Sequence, residues 1–285
     1  MAGKVALVLE GGGLRGQFTA GVLDVFLEQG LTGFDVAYGV SAGAINAADF
    51  KAGQNGRMMR DTLAYRDDKR FMSLYSLATT GDLTGVDFVY DEVQNRLDPF
   101  DSDAFMANPM RMVAVVSDVT FGTPDYLEVA ELPEDIDKVR ASASLPVVSK
   151  IVDLDGHRYL DGGTTDSVPV ERAMADGATR LVVVLTRDRG YVKEGPYELM
   201  AAARVRYADF RCFLEVLANR APRSMEQREH IWQLGREGAA VVVAPPEPVD
   251  ISATSVSGCE LLTLYLQGRT AGLAAVEQVR AALAG

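Results

Sequence analysis

Residues 4–9, Lys-Val-Ala-Leu-Val-Leu, form a short apolar run that stops at Glu10 and three consecutive glycines, and Phe18, Val22, Val25 and Phe26 then recur at three-and-four spacing. A run of that length bounded by glycine predicts a buried parallel strand, and the periodic segment predicts a helix packed on it. The same change of period recurs in residues 35–47, where an apolar, strand-like run stops at Ser41 and small residues predict a helix to about residue 52. Further apolar runs at 112–116, 181–185 and 239–244 predict core strands, with another strand near 126–129. Asp155-Gly156 between 147–154 and 157–160 predicts a hairpin. Helices are predicted at 57–69, 134–142, 168–176 and 260–283, the third ended by Gly177.

Two stretches read less simply. Residues 71–100 are apolar but interrupted by Gly81, Gly85 and several aspartates, so no long regular element is predicted there. Residues 196–234 carry Met200, Ala203, Tyr207, Phe210, Leu214 and Leu217 on one helical face, while Arg204, Arg206, Arg211, Arg220 and Arg223 occupy much of the remainder. Such a basic helix pair is either a solvated face packed on the domain or a surface that rests on lipid. The alternation of strands and helices predicts a three-layer α/β/α fold with a mostly parallel sheet and a site at the carboxyl ends of its first two strands. No repeat, low-complexity tract or boundary interrupts it, so a single domain over 1–285 is expected, with a core at about 4–185 and helical completion over 186–285.

Candidate chemistry sits where the period changes. Ser41 lies between Gly39 and Gly43 in a strand–turn–helix context, the setting in which a Gly-x-Ser-x-Gly serine becomes a nucleophile. Its neighbours at minus two and plus two must be nearly free of side chain, and the following helix directs free amides and positive dipole toward it. Upstream, Gly11-Gly12-Gly13-Leu14-Arg15-Gly16 leaves several unobstructed N–H groups able to bind a phosphate or an oxyanion. Gly11, Gly13 and Gly16 also fit Gly-x-Gly-x-x-Gly. A dinucleotide site wants an acid at the carboxyl end of the second strand, whereas Asp35 opens that strand and Ser41 closes it.

Taken together, Gly-Gly-Gly-Leu-Arg-Gly, then Gly39-Val40-Ser41-Ala42-Gly43, then Tyr159-Leu160-Asp161-Gly162-Gly163 resemble the patatin-like phospholipase family in motif and order. The resemblance runs from about residue 4 to 185. It implies that Ser41 is the nucleophile and Asp161 its base, that the Gly12 and Gly13 amides, with Ala42, form the oxyanion hole, and that Arg15 is the basic residue of that loop. It further implies that residues 71–100 form or cover an acyl-chain pocket. One departure is Glu10, where the family usually has aspartate; that position is expected to shape the loop. Ala141-Ser142-Ala143-Ser144-Leu145-Pro146 is similar to a small-residue stretch of the family, credited to close packing beneath the site.

The base is open to alternatives on residues alone. Only His157 and His230 exist, and a Ser-His-Asp esterase or thioesterase would use one of them with Asp118 or Asp161. Asp161 acting directly requires partial burial to raise its pKa. A non-catalytic nucleotide- or phosphate-binding protein would use the glycine loop alone.

Composition narrows the partners. Lys plus Arg total 28 against 40 Asp plus Glu, a formal net charge of −12, which argues against nucleic acid. A lipid or fatty-acyl ester is the expected substrate, with at most transient contact at a membrane surface, and no residue pattern sets an oligomeric state. No secretory signal or membrane-spanning run is visible, so cytoplasmic residence is expected. Cys212 and Cys259 suggest neither disulfide nor zinc site and are expected to be free and buried; no cofactor or metal is implied.

Overall fold

β1 (Lys4–Leu9) leads into α1 (Gly16–Glu28), and β2 (Val36–Val40) into α2 (Ala42–Lys51), the two predicted strand–helix units. The structure, a computed structural model, describes residues 3–251 and 257–285. After α3 (Arg57–Tyr65), the segment without a clear period folds as α4 (Leu74–Thr80) and a π-helical stretch, Phe88–Leu97. Gly81, at φ 83°, stops α4 in a left-handed cap. α5 (Ser102–Ala107) then precedes β3 (Arg111–Asp118), β4 (Thr123–Glu128), α6 (Ile136–Ser142), the hairpin β5 (Val152–Leu154) and β6 (His157–Asp161), and α7 (Val170–Ala175). β7 (Ala178–Val184), the helices α8 (Met200–Arg206), α9 (Arg211–Ala218) and α10 (Arg220–Arg236), β8 (Ala240–Val243) and α11 (Gly258–Ala284) complete the chain.

Five strands run parallel in the order β3, β2, β1, β7, β8, and the antiparallel β4, β5 and β6 attach at the β3 side. Because β2 is buried along its whole length, both faces of the sheet must be covered. Leu7 and Leu9 pack on one face with Phe18, Val22 and Phe26 of α1 and Val276 and Val279 of α11. Ala6 and Val8 pack on the other with Val170 and Ala173 of α7 and Ile231 and Leu234 of α10. The result is the expected three-layer α/β/α arrangement. α1 and α11 touch backbone to backbone, since a Cβ at Gly21 would lie 2.1 Å from the Tyr265 carbonyl oxygen.

Three expectations change. The strand predicted from residue 147 begins only at Val152, because Val147 follows Pro146 at φ 73°, which no strand accommodates. Both cysteines are free but exposed: Phe213 and Leu217 take the inward face of α9, and Leu261 and Leu264 that of α11, leaving Cys212 and Cys259 facing outward. Of the arginines of 196–234, Arg204, Arg206, Arg211 and Arg223 are exposed, as a solvated face requires, and Arg220 departs from it by being half-buried. Arg206 donates to the Ser149 carbonyl, Arg220 to that of Gly163 and Arg223 to that of Thr165.

Candidate active site

β2 ends at Val40, paired with Val115, and the chain then turns at Ser41 with φ 56° and ψ −122°, a conformation costly for any residue with a side chain. The glycines on either side permit it. A Cβ at Gly39 would sit 2.5 Å from the Ala44 Cα, and one at Gly43 the same distance from the Leu9 carbonyl oxygen. Strand, helix and first strand therefore approach at backbone distance, and the serine is pushed to the rim of the sheet.

Asp161 arrives from the opposite direction. β4 occupies one edge of β3 along Val113–Asp118, so β2 and β6 share the other edge. β2 runs parallel to β3 as far as Val115, and antiparallel β6 ends with Asp161 opposite Val116, the next residue. The carboxyl ends of β2 and β6 thus meet head to head, and Ser41 and Asp161 are brought together by sheet register alone.

The carboxylate is 3 % exposed. Its Oδ1 accepts the Gly163 N–H at 2.8 Å, and its Oδ2 has no hydrogen-bond partner among the described residues. Burial raises the Asp161 pKa, opposed in turn by the adjacent Ser41 hydroxyl, Arg220, the Gly163 amide and Lys193. Ser41 lies near enough to influence the carboxyl but closes no hydrogen bond to Oδ2. Gly162 makes the turn possible, since its Cβ would meet the Val115 carbonyl oxygen at 2.2 Å.

The small-residue stretch does more than pack. Ser142 Oγ accepts the Ser41 N–H at 2.9 Å and donates to the Val115 carbonyl at 2.7 Å, while the Ser144 carbonyl accepts the Asp161 N–H at 2.8 Å. One segment holds the backbones of both dyad candidates. Sequence reasoning missed these roles, and the repeated Ala-Ser pair after a predicted helix was the only signal.

The glycine loop lies against the serine, with a Cβ at Gly11 calculated 3.0 Å from that of Ser41. Gly13, at φ 55°, starts a 3₁₀ turn over Gly13–Arg15, and a Cβ at Gly16 would come within 2.8 Å of that of Ala42. The Gly12, Gly13 and Ala42 amides donate to no described residue. Glu10 fixes the loop from behind: its Oε2 accepts the Thr186 N–H at 2.6 Å and hydroxyl at 3.1 Å, and Arg228 reaches its Oε1 at 3.5 Å. Arg15 is half-buried with its Nε unpartnered, and burial, then the neighbouring Arg187, lower its pKa to about 10.

Both histidines are engaged elsewhere. His157 Nδ1 bonds Asp118 Oδ2 at 2.9 Å beside the turn of the hairpin, which raises its pKa, and His230 Nδ1 pairs with Glu171 at 2.5 Å. Asp118, Asp125 and His157 place ligand atoms within 4.8 Å of one another, a grouping the sequence did not suggest. Protein partners already serve it: Thr120 and Phe121 amides bond Asp118, and the Tyr159 hydroxyl bonds Asp125. Beside α2 a narrow apolar cavity of about 50 Å³ is lined by Ile45, Ala48, Tyr90, Leu132, Ile136 and Val139. Ile45 stands one helical turn beyond Ser41, and the Tyr90 hydroxyl feels the charge of Asp161.

A mostly parallel sheet with a serine elbow beside a glycine loop at its carboxyl rim has the form of the lipid acyl hydrolases. The chain belongs to the patatin-like phospholipase family, whose model matches residues 7–174. A second model, described as a domain of unknown function (DUF6363), matches residues 211–284. The uncharacterized protein YjjU of Escherichia coli (strain K12) is 34% identical over 193 residues, covering 65% of this chain and 52% of that protein. The chain thus spans about half the length of that curated relative. VipD from Legionella pneumophila superposes with a TM-score of 0.48 at 13% identity, over 99% of this chain and 67% of that one. Among the described residues no helix is long and apolar enough to cross a membrane.

Proposed function

We propose that the chain is a single-domain serine acyl hydrolase that cleaves fatty-acyl esters of lipids through a Ser41–Asp161 dyad and an acyl-enzyme. As Ser41 Oγ attacks the ester carbonyl, Asp161 Oδ2 accepts its proton, and the oxyanion is held by the amides of Gly12, Gly13 and Ala42. Collapse expels the alcohol, which takes the proton back from Asp161. Water then attacks the acyl-serine, gives a proton to Asp161, and releases the fatty acid with Ser41 restored.

The observation that carries this reading is the buried Asp161 Oδ2, left without a hydrogen-bond partner beside Ser41. A raised pKa makes it a better base than a solvated aspartate. The cavity along Ile45 supports an acyl chain entering beside α2, with the π-helical stretch at its wall. A histidine-dependent esterase loses support because, among the described residues, neither imidazole is hydrogen-bonded to Ser41 or Asp161: His157 lies beside the hairpin turn on Asp118, and His230 on α10 against Glu171. Contact with a membrane surface would be transient.

The test is hydrolysis of a chromogenic fatty-acyl ester series by wild type, Ser41→Ala, Asp161→Asn and a variant lacking both histidines. Activity is expected to vanish in the first two variants and persist in the last. Loss with the histidines would transfer the role of base to one of them.

A further inference from the structure

The cavity beside α2 has two unlike ends. α2 follows its N-cap Ser41 and lines the cavity first with Ile45 and Ala48, then with Asp49. At 1.5 Å per residue, Asp49 stands about 12 Å along the helix from Ser41. Leu132, Ile136 and Val139 keep the wall apolar, whereas Arg57 of α3 and Gln94 of the π-helical stretch join Asp49 at the far end. At about 50 Å³ the space suits the last few carbons of a chain, so the groups that close it bear on which chains fit.

Those groups are charged and buried. Arg57 is 2 % exposed and Asp49 7 %. Arg57 Nη1 donates to Asp49 Oδ1 at 3.1 Å, and its Nη2 donates to Gln94 Oε1 at 3.0 Å and to the Asp98 carbonyl at 2.8 Å. The guanidinium also lies over the Phe100 ring, 5.5 Å from its centroid, so the pair is fixed on several sides. Two of its atoms are nevertheless buried without a hydrogen bond among the described residues, Asp49 Oδ2 and Arg57 Nε. A buried charged group in that state is costly, and it calls for a partner that the protein itself does not supply. An alkyl terminus offers neither donor nor acceptor. A hydroxyl offers both, a proton for Asp49 Oδ2 and a lone pair for the Arg57 Nε–H.

We infer that Asp49 and Arg57 form a recognition site for a hydroxyl group near the far end of the acyl chain, which makes hydroxylated acyl esters favoured over plain alkyl esters of equal length. A span of about 12 Å places that hydroxyl roughly eight to ten carbons from the ester carbonyl of an extended chain. A site built to bond a hydroxyl rejects the analogue that lacks one, because its own polar atoms are then left unpaired. The assignment rests on the acyl-hydrolase reading and adds to it an acyl-chain class and Asp49 as a specificity residue.

The experiment measures kcat/KM for the 4-nitrophenyl esters of 10-hydroxydecanoate and decanoate, and of 6-hydroxyhexanoate and hexanoate, in wild type and Asp49→Asn. Wild type is expected to prefer the hydroxylated ester of the longer pair by about tenfold or more. The shorter pair should show no such preference, because its hydroxyl stops short of Asp49. Asp49→Asn keeps an oxygen for Arg57 but loses the charged acceptor, and its ratio for the longer pair should move toward one. A wild-type ratio of one or less for the longer pair, an equal preference in both pairs, or an unchanged ratio in Asp49→Asn would overturn the assignment. So would cleavage of the shorter pair alone. Should Asp49→Asn fail to fold by circular dichroism, the contrast between the two pairs in wild type decides by itself. If wild type cleaves none of the four esters, the hydrolase reading fails on its own. Calorimetric titration with 10-hydroxydecanoate and decanoate then decides: tighter binding of the hydroxy acid keeps the site, and equal or no binding removes it.

Discussion

The Ser142 hydroxyl bridges the Ser41 N–H and the Val115 carbonyl, at 2.9 and 2.7 Å. Ser41 follows the end of β2 in a strained conformation, and its N–H has passed the last β2–β3 pair, Val40 with Val115. Ser142 supplies the acceptor that the ladder no longer provides. Ser142→Ala should leave both buried groups unpaired and lower stability by about 1–3 kcal/mol. It should also lower kcat more than it raises KM, because the elbow would relax. Chemical denaturation and steady-state kinetics check the two effects, and unchanged values in both would reduce Ser142 to filler.

At Gly13 the backbone is left-handed, with φ 55°. A methyl group there costs on the order of 1 kcal/mol and turns the loop amides away from the position of an oxyanion. Gly13→Ala is expected to reduce kcat roughly 10²–10³-fold, the usual loss for one oxyanion donor, with a small change in KM. Kinetics on a soluble ester decide, and full turnover would remove the loop from the chemistry.

Much of the fold was legible because continuous apolar runs bounded by glycine fix β1, β2 and β7 before any tertiary contact is known. Ser41, Asp161 and the glycine loop were legible because backbone crowding forces glycine around them, and crowding leaves a mark in sequence. Ser142 was not, since its contact with Ser41 spans 101 positions and follows only from β2 and β6 meeting on one edge of β3. The half-buried position of Arg220 and the reach of Arg223 to a loop carbonyl were hidden for a related reason. Loop carbonyls that need donors are a property of the folded chain, and helical periodicity assigns every charge to solvent. The cysteines misled because their usual burial is a preference, which Phe213 and Leu261 override by volume.

Burial raises the Asp161 pKa, and the base must be ionised to accept a proton. Activity should therefore rise with pH through a single ionisation above the ordinary carboxylate range, with the same profile in the variant lacking both histidines. Stability has the opposite sign. A carboxyl whose folded pKa exceeds its unfolded value stabilises the fold below the unfolded pKa, and that contribution is lost as pH rises through the folded one. Asp161→Asn, permanently neutral, should thus be inactive yet melt higher than wild type at pH 8, with the gap closing near pH 4. Thermal melts at the two pH values test this, and a lower melting temperature at pH 8 would contradict it.

Glu10 accepts from the Thr186 N–H and hydroxyl and from buried Arg228, tying the glycine loop to the end of β7 and to α10. Glu10→Ala would leave Arg228 without its carboxylate, although the Arg187 and Asp188 carbonyls still accept from it. Breaking a buried pair of this kind costs about 3–5 kcal/mol. The remaining carbonyl partners place the expected loss at the lower end, about 3 kcal/mol by urea denaturation. A loss under about 0.5 kcal/mol would show that the loop is held by its own geometry.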